Sequence, residues 1–272
     1  MEVSVKACVV DPSHDVAQRV FRKRGTDIAL CRDCGCIMAD IAFNHEQYES
    51  GNYYTLARKT LAAIDEEWGF RWRYVLNRIT RSSKVSSLLD VGAGNGYFVS
   101  LATREFGLQA TGLEISAEEI RFAKDVIGVQ LLGEDVSEHR FNYDVVTCFN
   151  VLEHVADPQR FLSAVTDRLK PGGLLVLTTP NPRCVHARVR GLERWNMVDP
   201  PHHINLFTRN ALQQMLADRK LQVLRHETLS TYINFVRRFD TPGLVLRRTF
   251  FHLLRSANLG ADHFFMCRRP VG

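Results

Sequence analysis

The glycine-rich segment at residues 88–96, LLDVGAGNG, constrains the fold of this chain more than any other feature. The pattern predicts a buried strand that runs into a tight turn and then into the first turn of a helix that begins at Tyr97. Glycine is needed in such a turn because a β-carbon would block a close approach of the backbone to a ligand. The segment therefore predicts a strand–turn–helix unit with a ligand at the turn.

Strands and helices alternate from residue 88 to about residue 228, which is typical of a parallel sheet covered by helices. We predict an α/β, Rossmann-like sheet of seven strands with helices on both faces. Ser116 and Thr208 are predicted N-caps of two of the helices. The predicted strands are 87–91, 109–114, 129–132, 143–149, 174–179, 221–227 and 263–267, and the predicted helices include 97–106, 158–169 and 209–219.

Two segments flank this alternating region at its start. Residues 1–50 form a small cysteine-bearing module, and residues 51–85 form an N-terminal helical cap, because apolar residues recur at helical spacing from Leu56 to Ile79. The remaining residues, 86–272, form the main domain. An arginine-rich helical insertion at about 231–260, which carries five aromatic residues, is expected to act as a lid over the site. The alternative is a helical cover for the sheet with a solvated basic face.

The details of the turn predict which ligand it binds. A dinucleotide-binding turn reads G-x-G-x-x-G, whereas here the third glycine comes one residue early, at Gly96, and Tyr97 stands where it would be. This difference favours a ligand without a pyrophosphate. Glu114, at the end of the second strand, is placed to accept hydrogen bonds from ribose hydroxyls, and Asp135 is placed to accept one from an adenine amine. Together these positions predict S-adenosylmethionine (SAM) as the cofactor.

The segments at 89–96, 149–158 (FNVLEHVADP) and 170–180 (KPGGLLVLTTP) resemble class I SAM-dependent methyltransferases. More narrowly, they are similar to the small-molecule branch that includes the ubiquinone-biosynthesis O-methyltransferases and many sugar and natural-product methyltransferases. The resemblance covers roughly residues 85–230. It implies that Gly92 and Gly94 face the methionine part of the cofactor, Glu114 the ribose, Asp135 the adenine amine and Asn150 the methionine end. The full predicted cofactor set is Asp90, Gly92, Gly94, Asn95, Gly96, Glu114, Ile115, Asp135, Val136, Asn150 and Val151.

Methyl transfer to a hydroxyl also needs a base, and histidine is the side chain whose ordinary pKa suits that role. Two sites compete. His202 and His203 lie in the loop that precedes the helix capped by Thr208, and His154 follows the fourth predicted strand. The alternative for each site is a structural role, in which the histidine fixes a loop through hydrogen bonds. We predict His202 or His203 as the base, with His154 as the further candidate.

The cysteines of the N-terminal module suggest a zinc site. Cys31 and Cys34 form a C-x-x-C knuckle, but a structural zinc needs four ligands, and Asp11 stands where a second cysteine would be expected after Cys8. The predicted ligands are Cys8, Cys31 and Cys34 with His14, and Asp11 or Cys36 are alternatives to His14. Many methyltransferases of natural-product and sugar pathways resemble this layout. A metal-free hairpin is the competing interpretation.

Composition sets the remaining expectations. The chain has 45% hydrophobic and 24% charged residues, a net charge of +5, no apolar run near the roughly 20 residues that cross a bilayer, and no pattern typical of a signal peptide. We therefore expect a cytoplasmic protein. The resemblance implies a small-molecule acceptor, which an arginine-rich lid would suit if the acceptor were anionic or phosphorylated. An RNA methyltransferase and a non-catalytic SAM-binding protein are the alternatives. Nucleic acid is disfavoured because the first fifty residues are not markedly basic.

Overall fold

The structure is a computed structural model, and it describes residues 7–41, 60–229 and 257–271. The predicted lid at about 231–260 lies almost entirely outside the described residues, as do positions 53–59 of the predicted cap. No helix within the described ranges is long and apolar enough to span a membrane.

The strands are β1 Val16–Lys23, β2 Thr26–Cys31, β3 Ile37–Ala39, β4 Ser87–Val91, β5 Gln109–Leu113, β6 Tyr143–Phe149, β7 Leu169–Pro180, β8 Asn205–Leu206, β9 Gln222–Leu229 and β10 Asp262–Arg268. The α-helices are α1 Leu61–Ser82, α2 Tyr97–Phe106, α3 Ala117–Phe122, α4 Pro158–Asp167, α5 Val185–Arg190 and α6 Arg209–Asp218.

The strands form two sheets, a four-stranded one in the order β1-β2-β3-β8 and a six-stranded one in the order β5-β4-β6-β7-β10-β9. The chain divides into two compact units. The first unit comprises Met1–Phe43, Asn150–Arg160 and Leu177–Cys267, and the second comprises Asn44–Phe149, Phe161–Val176 and Arg268–Gly272. Each unit is described by itself below.

In the second unit, β4 pairs in parallel with both β5 and β6, with Asp90 opposite Gly112 on one side and Thr147 on the other. Leu88 and Leu89 are fully buried in β4, as a parallel strand covered on both faces requires. The carboxyl ends of these three strands therefore lie side by side, which places the turn that follows β4 next to the residues that follow β5.

In the first unit, the cysteine module contributes three antiparallel strands, and β8 joins β3 from far along the chain through Ile37 opposite Leu206. A hydrophobic cluster that includes Phe21, Ile28 and Trp195 covers this sheet. The module is therefore not a separate hairpin, because its sheet is completed by residues that follow His202 and His203.

The predicted third strand at 129–132 is wrong. Within the described residues this segment makes only a single parallel bridge, between Leu113 and Leu132, so the larger sheet has six strands rather than seven. Val129 and Leu131 instead pack against Ala93 and Val99, which explains their apolar character without strand pairing.

The predicted end of the helix 158–169 and the predicted start of the strand 174–179 are also wrong in part. The helix α4 ends at Asp167, two residues before the predicted end at 169. The strand β7 begins at Leu169, five residues before the predicted start at 174, and so includes the proline and glycines at 171–173. The strand is held there because the Arg269 N–H donates to the Gly173 carbonyl at 2.9 Å. The predicted caps are confirmed: Ser116 accepts from the Glu119 N–H and Thr208 accepts from the Ala211 N–H.

Candidate active site

The glycine turn after β4 adopts a backbone that only glycine adopts readily. Gly92, Gly94 and Gly96 have φ angles of 72°, 51° and 73°, all in the left-handed region. A β-carbon on Gly96 would lie 2.6 Å from Val129 Cγ1, whereas one on Gly94 would meet no atom within 4 Å. Packing as well as backbone conformation therefore requires glycine at position 96. At Gly94 only the conformation does, because open space lies where a β-carbon would project.

Glu114 is tied directly to this turn. Its Oε2 accepts a hydrogen bond from the Gly94 N–H at 2.7 Å, and its Oε1 accepts one from the Ser116 N–H at 2.9 Å. Burial raises the pKa of Glu114, while these two backbone donors act in the opposite direction. Each carboxylate oxygen has a second lone pair, so Glu114 can accept from ligand hydroxyls while it holds the turn.

Asp90 lies beneath the turn and is almost completely buried, at 2% exposure. Burial raises its pKa to about 8, and the neighbouring Glu114 adds to that shift. Thr147 Oγ1 lies 2.6 Å from Asp90 Oδ1 and 3.2 Å from the Leu89 carbonyl oxygen. The Thr147 hydroxyl donates to Asp90 and so lowers the pKa of that carboxyl, but burial is the larger effect and the pKa remains raised.

The other predicted cofactor residues of the second unit differ in accessibility. Ile115 presents an apolar side chain that is 44% exposed next to Glu114, whereas Val136 is buried. Asp135 is exposed, and its Oδ1 accepts from the Ser137 N–H and hydroxyl at 2.8 and 2.6 Å, which leaves Oδ2 to meet a ligand amine. The Oδ1 of Asn95 accepts from the Tyr97 N–H at 3.0 Å, which fixes the end of the turn.

In the first unit, Asn150 also has a left-handed backbone, with φ 54°, although it is not a glycine. Its N–H donates to the Thr178 carbonyl and its Oδ1 accepts from the Thr178 hydroxyl, both at 2.8 Å. Val151 follows and leads into a single 3₁₀ turn, Leu152–His154. Asparagine adopts this left-handed conformation more readily than most residues, and the role of Asn150 at the methionine end of the cofactor stays a prediction.

His154 and His203 are held in a buried polar cluster of the first unit. The Nδ1–H of His154 donates to the His202 carbonyl at 2.9 Å, and the Nδ1–H of His203 donates to the Met197 carbonyl at 2.7 Å. Burial and the neighbouring His203 lower the pKa of His154 to about 3, and burial also lowers the pKa of His203. Ligand atoms of Glu153, His154 and His203 all lie within 4.8 Å of one another. Burial raises the pKa of Glu153 to about 8.

His202 has a different environment, with 30% of its side chain exposed. Its Nδ1 lies 3.3 Å from Asp199 Oδ2, and the other oxygen of Asp199 accepts from Arg24. The Asp199 carbonyl also accepts from the His202 and His203 N–H groups at 2.8 and 3.0 Å. Sequence reasoning missed Asp199 and Glu153. The three-residue spacing between Asp199 and His202 is the signal that could have identified Asp199.

The cysteine module brings the four predicted metal ligands together. The ligand atoms of Cys8, His14, Cys31 and Cys34 lie within 4.8 Å of one another. Cys8 Sγ is 3.6 Å from Cys34 Sγ, and Cys31 Sγ is 3.6 Å from His14 Nδ1. A hydrogen bond with Cys34 lowers the pKa of Cys8.

The two alternatives to His14 as the fourth ligand lie outside this group. Asp11 accepts from Ser13 and from the Gln214 amide at 3.2 Å, and its carboxylate contacts the far side of the His14 ring. Cys36 is buried with its thiol directed at the Ile37 carbonyl. Of the three alternatives that the sequence left open, the geometry therefore favours His14.

Comparison with known proteins identifies the family of this chain. A family described as "Methyltransferase domain" matches residues 66–226. The ubiquinone biosynthesis O-methyltransferase of Klebsiella pneumoniae strain 342 is 41% identical over 103 residues, which is 35% of this chain and 42% of that protein. The chain thus spans about two fifths of the length of the curated relatives it matches.

Two solved structures support the fold, although their sequence identity is low. A SAM-dependent methyltransferase from Archaeoglobus fulgidus aligns over 75% of this chain and 97% of its own, with a TM-score of 0.53 and 19% identity. The magnesium protoporphyrin IX methyltransferase of Synechocystis PCC 6803, solved with bound S-adenosylhomocysteine, aligns over 82% of this chain and 97% of its own, with a TM-score of 0.56 and 14% identity. Because the family match covers more than half of the sequence, the chain belongs to the methyltransferase-domain family, as its resemblance to class I SAM-dependent methyltransferases implied.

Proposed function

We propose that this chain is a SAM-dependent methyltransferase that acts on an oxygen of a small-molecule acceptor, with His202 as the general base. The observation that carries the cofactor assignment is the contact between Gly94 and Glu114, which joins the glycine turn to a buried carboxylate. Relatives named as ubiquinone biosynthesis O-methyltransferases support an oxygen acceptor, although they align over less than half of their own length.

The turn after β4 and the two residues that follow β5 fit SAM in three respects. A left-handed Gly94 with open space where a β-carbon would project allows a ligand to lie against the backbone. Glu114 can accept from ribose hydroxyls, and the exposed Ile115 offers an apolar surface for the flat face of adenine. When bound, SAM would supply a methyl group that is already electrophilic, so the protein has mainly to orient the acceptor and take up a proton.

His202 suits the role of base better than the other two histidines. The contact with Asp199 places the proton of His202 on Nδ1, so Nε2 can accept a proton from an acceptor hydroxyl. The carboxylate of Asp199 would then stabilise the imidazolium that forms. His154 and His203 both donate from Nδ1 to backbone carbonyls and have lowered pKa values, which suits the loop-fixing role that the sequence left open.

The test is methyl transfer by purified protein against a panel of hydroxylated acceptors, namely phenols, catechols and nucleotide sugars, with released S-adenosylhomocysteine as the readout. At saturating SAM, His202→Ala is expected to lower kcat by about 10²- to 10⁴-fold, the usual contribution of a general base, with unchanged cofactor affinity. His186→Ala, on α5, is the matched control. Full turnover by His202→Ala would rule out this base, and cofactor binding without turnover on any acceptor would favour a non-catalytic SAM-binding protein.

We also propose that Cys8, His14, Cys31 and Cys34 hold a structural zinc ion. In a tetrahedral site with Zn–S of about 2.3 Å and Zn–N of about 2.0–2.1 Å, neighbouring ligand atoms are about 3.6–3.8 Å apart. The two ligand pairs at 3.6 Å agree with that spacing. Gly35 turns the knuckle with φ 72°, and the Cys34 N–H points at Cys31 Sγ at 3.4 Å.

The zinc module would support the histidine loop. The Cys34 carbonyl accepts from the Thr208 hydroxyl at 2.5 Å, and the Ala39 N–H donates to the Ile204 carbonyl at 2.8 Å. A β-carbon on Gly35 would lie 3.0 Å from Thr208 Cγ2, so the knuckle packs closely on the N-terminus of α6. These contacts lie on the C-terminal side of His202 and His203 and restrict where the loop can run.

Metal analysis of the purified protein tests the zinc proposal. We expect about one zinc per chain. Cys31→Ser and His14→Ala should lose that zinc and lower the melting temperature, because binding of a structural metal contributes folding free energy. Cys148→Ala, which changes a buried cysteine of the second unit, should keep it. Intact protein that contains no zinc after purification without chelators, and that takes up none when zinc is added, would contradict the proposal.

A further inference from the structure

Tyr97, the residue that stands in place of a dinucleotide-type third glycine, joins two helices of the second unit. It is the first residue of α2, and its hydroxyl donates to Asp65 on α1. Arg73, also on α1, donates from Nη2 to Asp65 at 2.7 Å and to Glu105 near the end of α2 at 2.5 Å. Hydrogen bonds therefore connect α1 to both ends of α2.

The absence of a side chain at Gly69, in the middle of α1, makes room for the contact between Tyr97 and α1. A glycine inside a helix costs about 1 kcal/mol relative to alanine, so its presence in the middle of α1 needs a reason. A β-carbon there would lie 2.7 Å from Asp65 Oδ1 and 3.0 Å from the Tyr97 hydroxyl, and it would also collide with the Arg73 guanidinium. Gly69 thus leaves the space in which the Tyr97 hydroxyl reaches α1.

An aromatic cluster makes a second connection in the same unit. The ring of Trp72 on α1 lies 5.3 Å from that of Phe98 on α2 and 4.7 Å from that of Phe149, the last residue of β6. Phe98 and Phe149 are themselves 4.9 Å apart in an edge-to-face arrangement. Such pairs contribute beyond the area that they bury, so α1 is held to α2 by packing as well as by the polar network.

We infer that Tyr97 is a positioning residue that couples the docking of α1 to cofactor binding at the glycine turn. The inference rests on the proposed SAM site. Tyr97 directly follows Gly96, and its N–H donates to Asn95 within the turn, so its side chain and backbone connect α1 to the turn through one residue. Burial and the adjacent Asp65 raise the pKa of the Tyr97 hydroxyl, which keeps it a donor across the neutral range.

Coupling of this kind is reciprocal by thermodynamic necessity. If the docked α1 holds the turn in its binding conformation, then a cofactor bound at the turn must stabilise the docked α1 by the same factor. The backbone amides of α1 should therefore exchange with solvent more slowly when S-adenosylhomocysteine is bound.

Tyr97→Phe tests the coupling because it removes the hydroxyl and keeps the ring. We expect the dissociation constant for S-adenosylhomocysteine to rise at least about 10-fold by calorimetry, the lower end of the effect of one lost hydrogen bond to a charged partner. The ligand-induced protection of α1 in hydrogen exchange should be lost as well. Tyr74→Phe is the matched control, because the Tyr74 hydroxyl accepts from Arg78, which also lies on α1. Gly69→Ala fills the gap that Tyr97 needs and should reproduce the effect of Tyr97→Phe.

The outcomes separate this inference from the proposed function. A Tyr97→Phe protein that binds S-adenosylhomocysteine within twofold of wild type and keeps the protection of α1 overturns the coupling alone, even if its melting temperature falls. A wild-type protein that does not bind S-adenosylhomocysteine overturns both. A Gly69→Ala protein that loses stability at unchanged affinity would mean that the gap serves packing only, and it would also overturn the coupling.

Discussion

At the residue scale, two acidic side chains share the buried end of β4 and β5. Burial raises the pKa of both Asp90 and Glu114, and each raises the cost of charging the other. Glu114 accepts two backbone hydrogen bonds that favour its charged form, whereas Asp90 accepts from the Thr147 hydroxyl and its pKa rises to about 8 because burial is the larger effect. We therefore expect Asp90 to be the carboxyl that keeps its proton at neutral pH and Glu114 to be the one that meets a ligand as a carboxylate.

This assignment predicts how stability depends on pH. The folded-state pKa of Asp90, about 8, lies above the unfolded value of 3.8, so the stability that its neutral form provides is fully present below the unfolded pKa and is lost progressively as pH rises from there through about 8. Asp90→Asn imitates the neutral form. Its free energy of unfolding relative to wild type should therefore increase by about 1 kcal/mol or more between pH 5 and pH 9, as measured in urea.

The control for that measurement is Asp125→Asn, at an exposed position in the π-helical segment Ala123–Ile127 that follows α3. It should give the same difference from wild type at both pH values. A difference between Asp90→Asn and wild type that does not grow with pH would mean that Asp90 is charged in the folded protein.

Single residues could be predicted from the sequence where local geometry dictates them. Gly92, Gly94 and Gly96 need left-handed angles, and Glu114 follows a strand that is paired with β4, so their proximity follows from the order of the elements. Asp199 and Glu153 could not be recognised in the same way. Their roles depend on hydrogen bonds to Arg24 and Thr179, which are distant in the sequence, and no local pattern encodes such contacts.

At the element scale, strong caps and regular periodicity gave reliable predictions. The strand at Ser87–Val91 and the helix at Tyr97–Phe106 match the predicted bounds. The helices that follow Ser116 and Thr208 also begin where these caps predict, because each side chain accepts from a backbone N–H of the first turn.

Short apolar segments were ambiguous for a physical reason. The four residues at 129–132 bury Val129 and Leu131 against Ala93 and Val99, and packing of this kind produces an alternating pattern that a strand would also produce. The pairing of β3 with β8 could not be predicted from the sequence either, because β8 has only two residues and lies more than 160 positions from its partner. Strands of this length carry no periodicity of their own.

At the scale of the whole molecule, the two units interleave along the chain. The first unit takes its residues from three separate stretches, which include the cysteine module, the segment from Asn150 and the histidine loop. The predicted boundaries at 50 and 85 therefore divide the sequence in a way that differs from the spatial division. The composition of the chain could not reveal this division, because composition says nothing about which stretches of a chain pack together.

The cofactor assignment determines whether the remaining proposals apply, and calorimetric titration with S-adenosylhomocysteine tests it most directly. We predict that wild-type protein binds the ligand and that Glu114→Ala weakens binding at least about 10-fold, since hydrogen bonds to a charged group contribute about 1.5–3 kcal/mol. Glu118→Ala, four residues along on the exposed side of α3, should bind like wild type. No binding by the wild type, or equal binding by Glu114→Ala and wild type, would contradict a SAM site at the turn from Gly92 to Gly96.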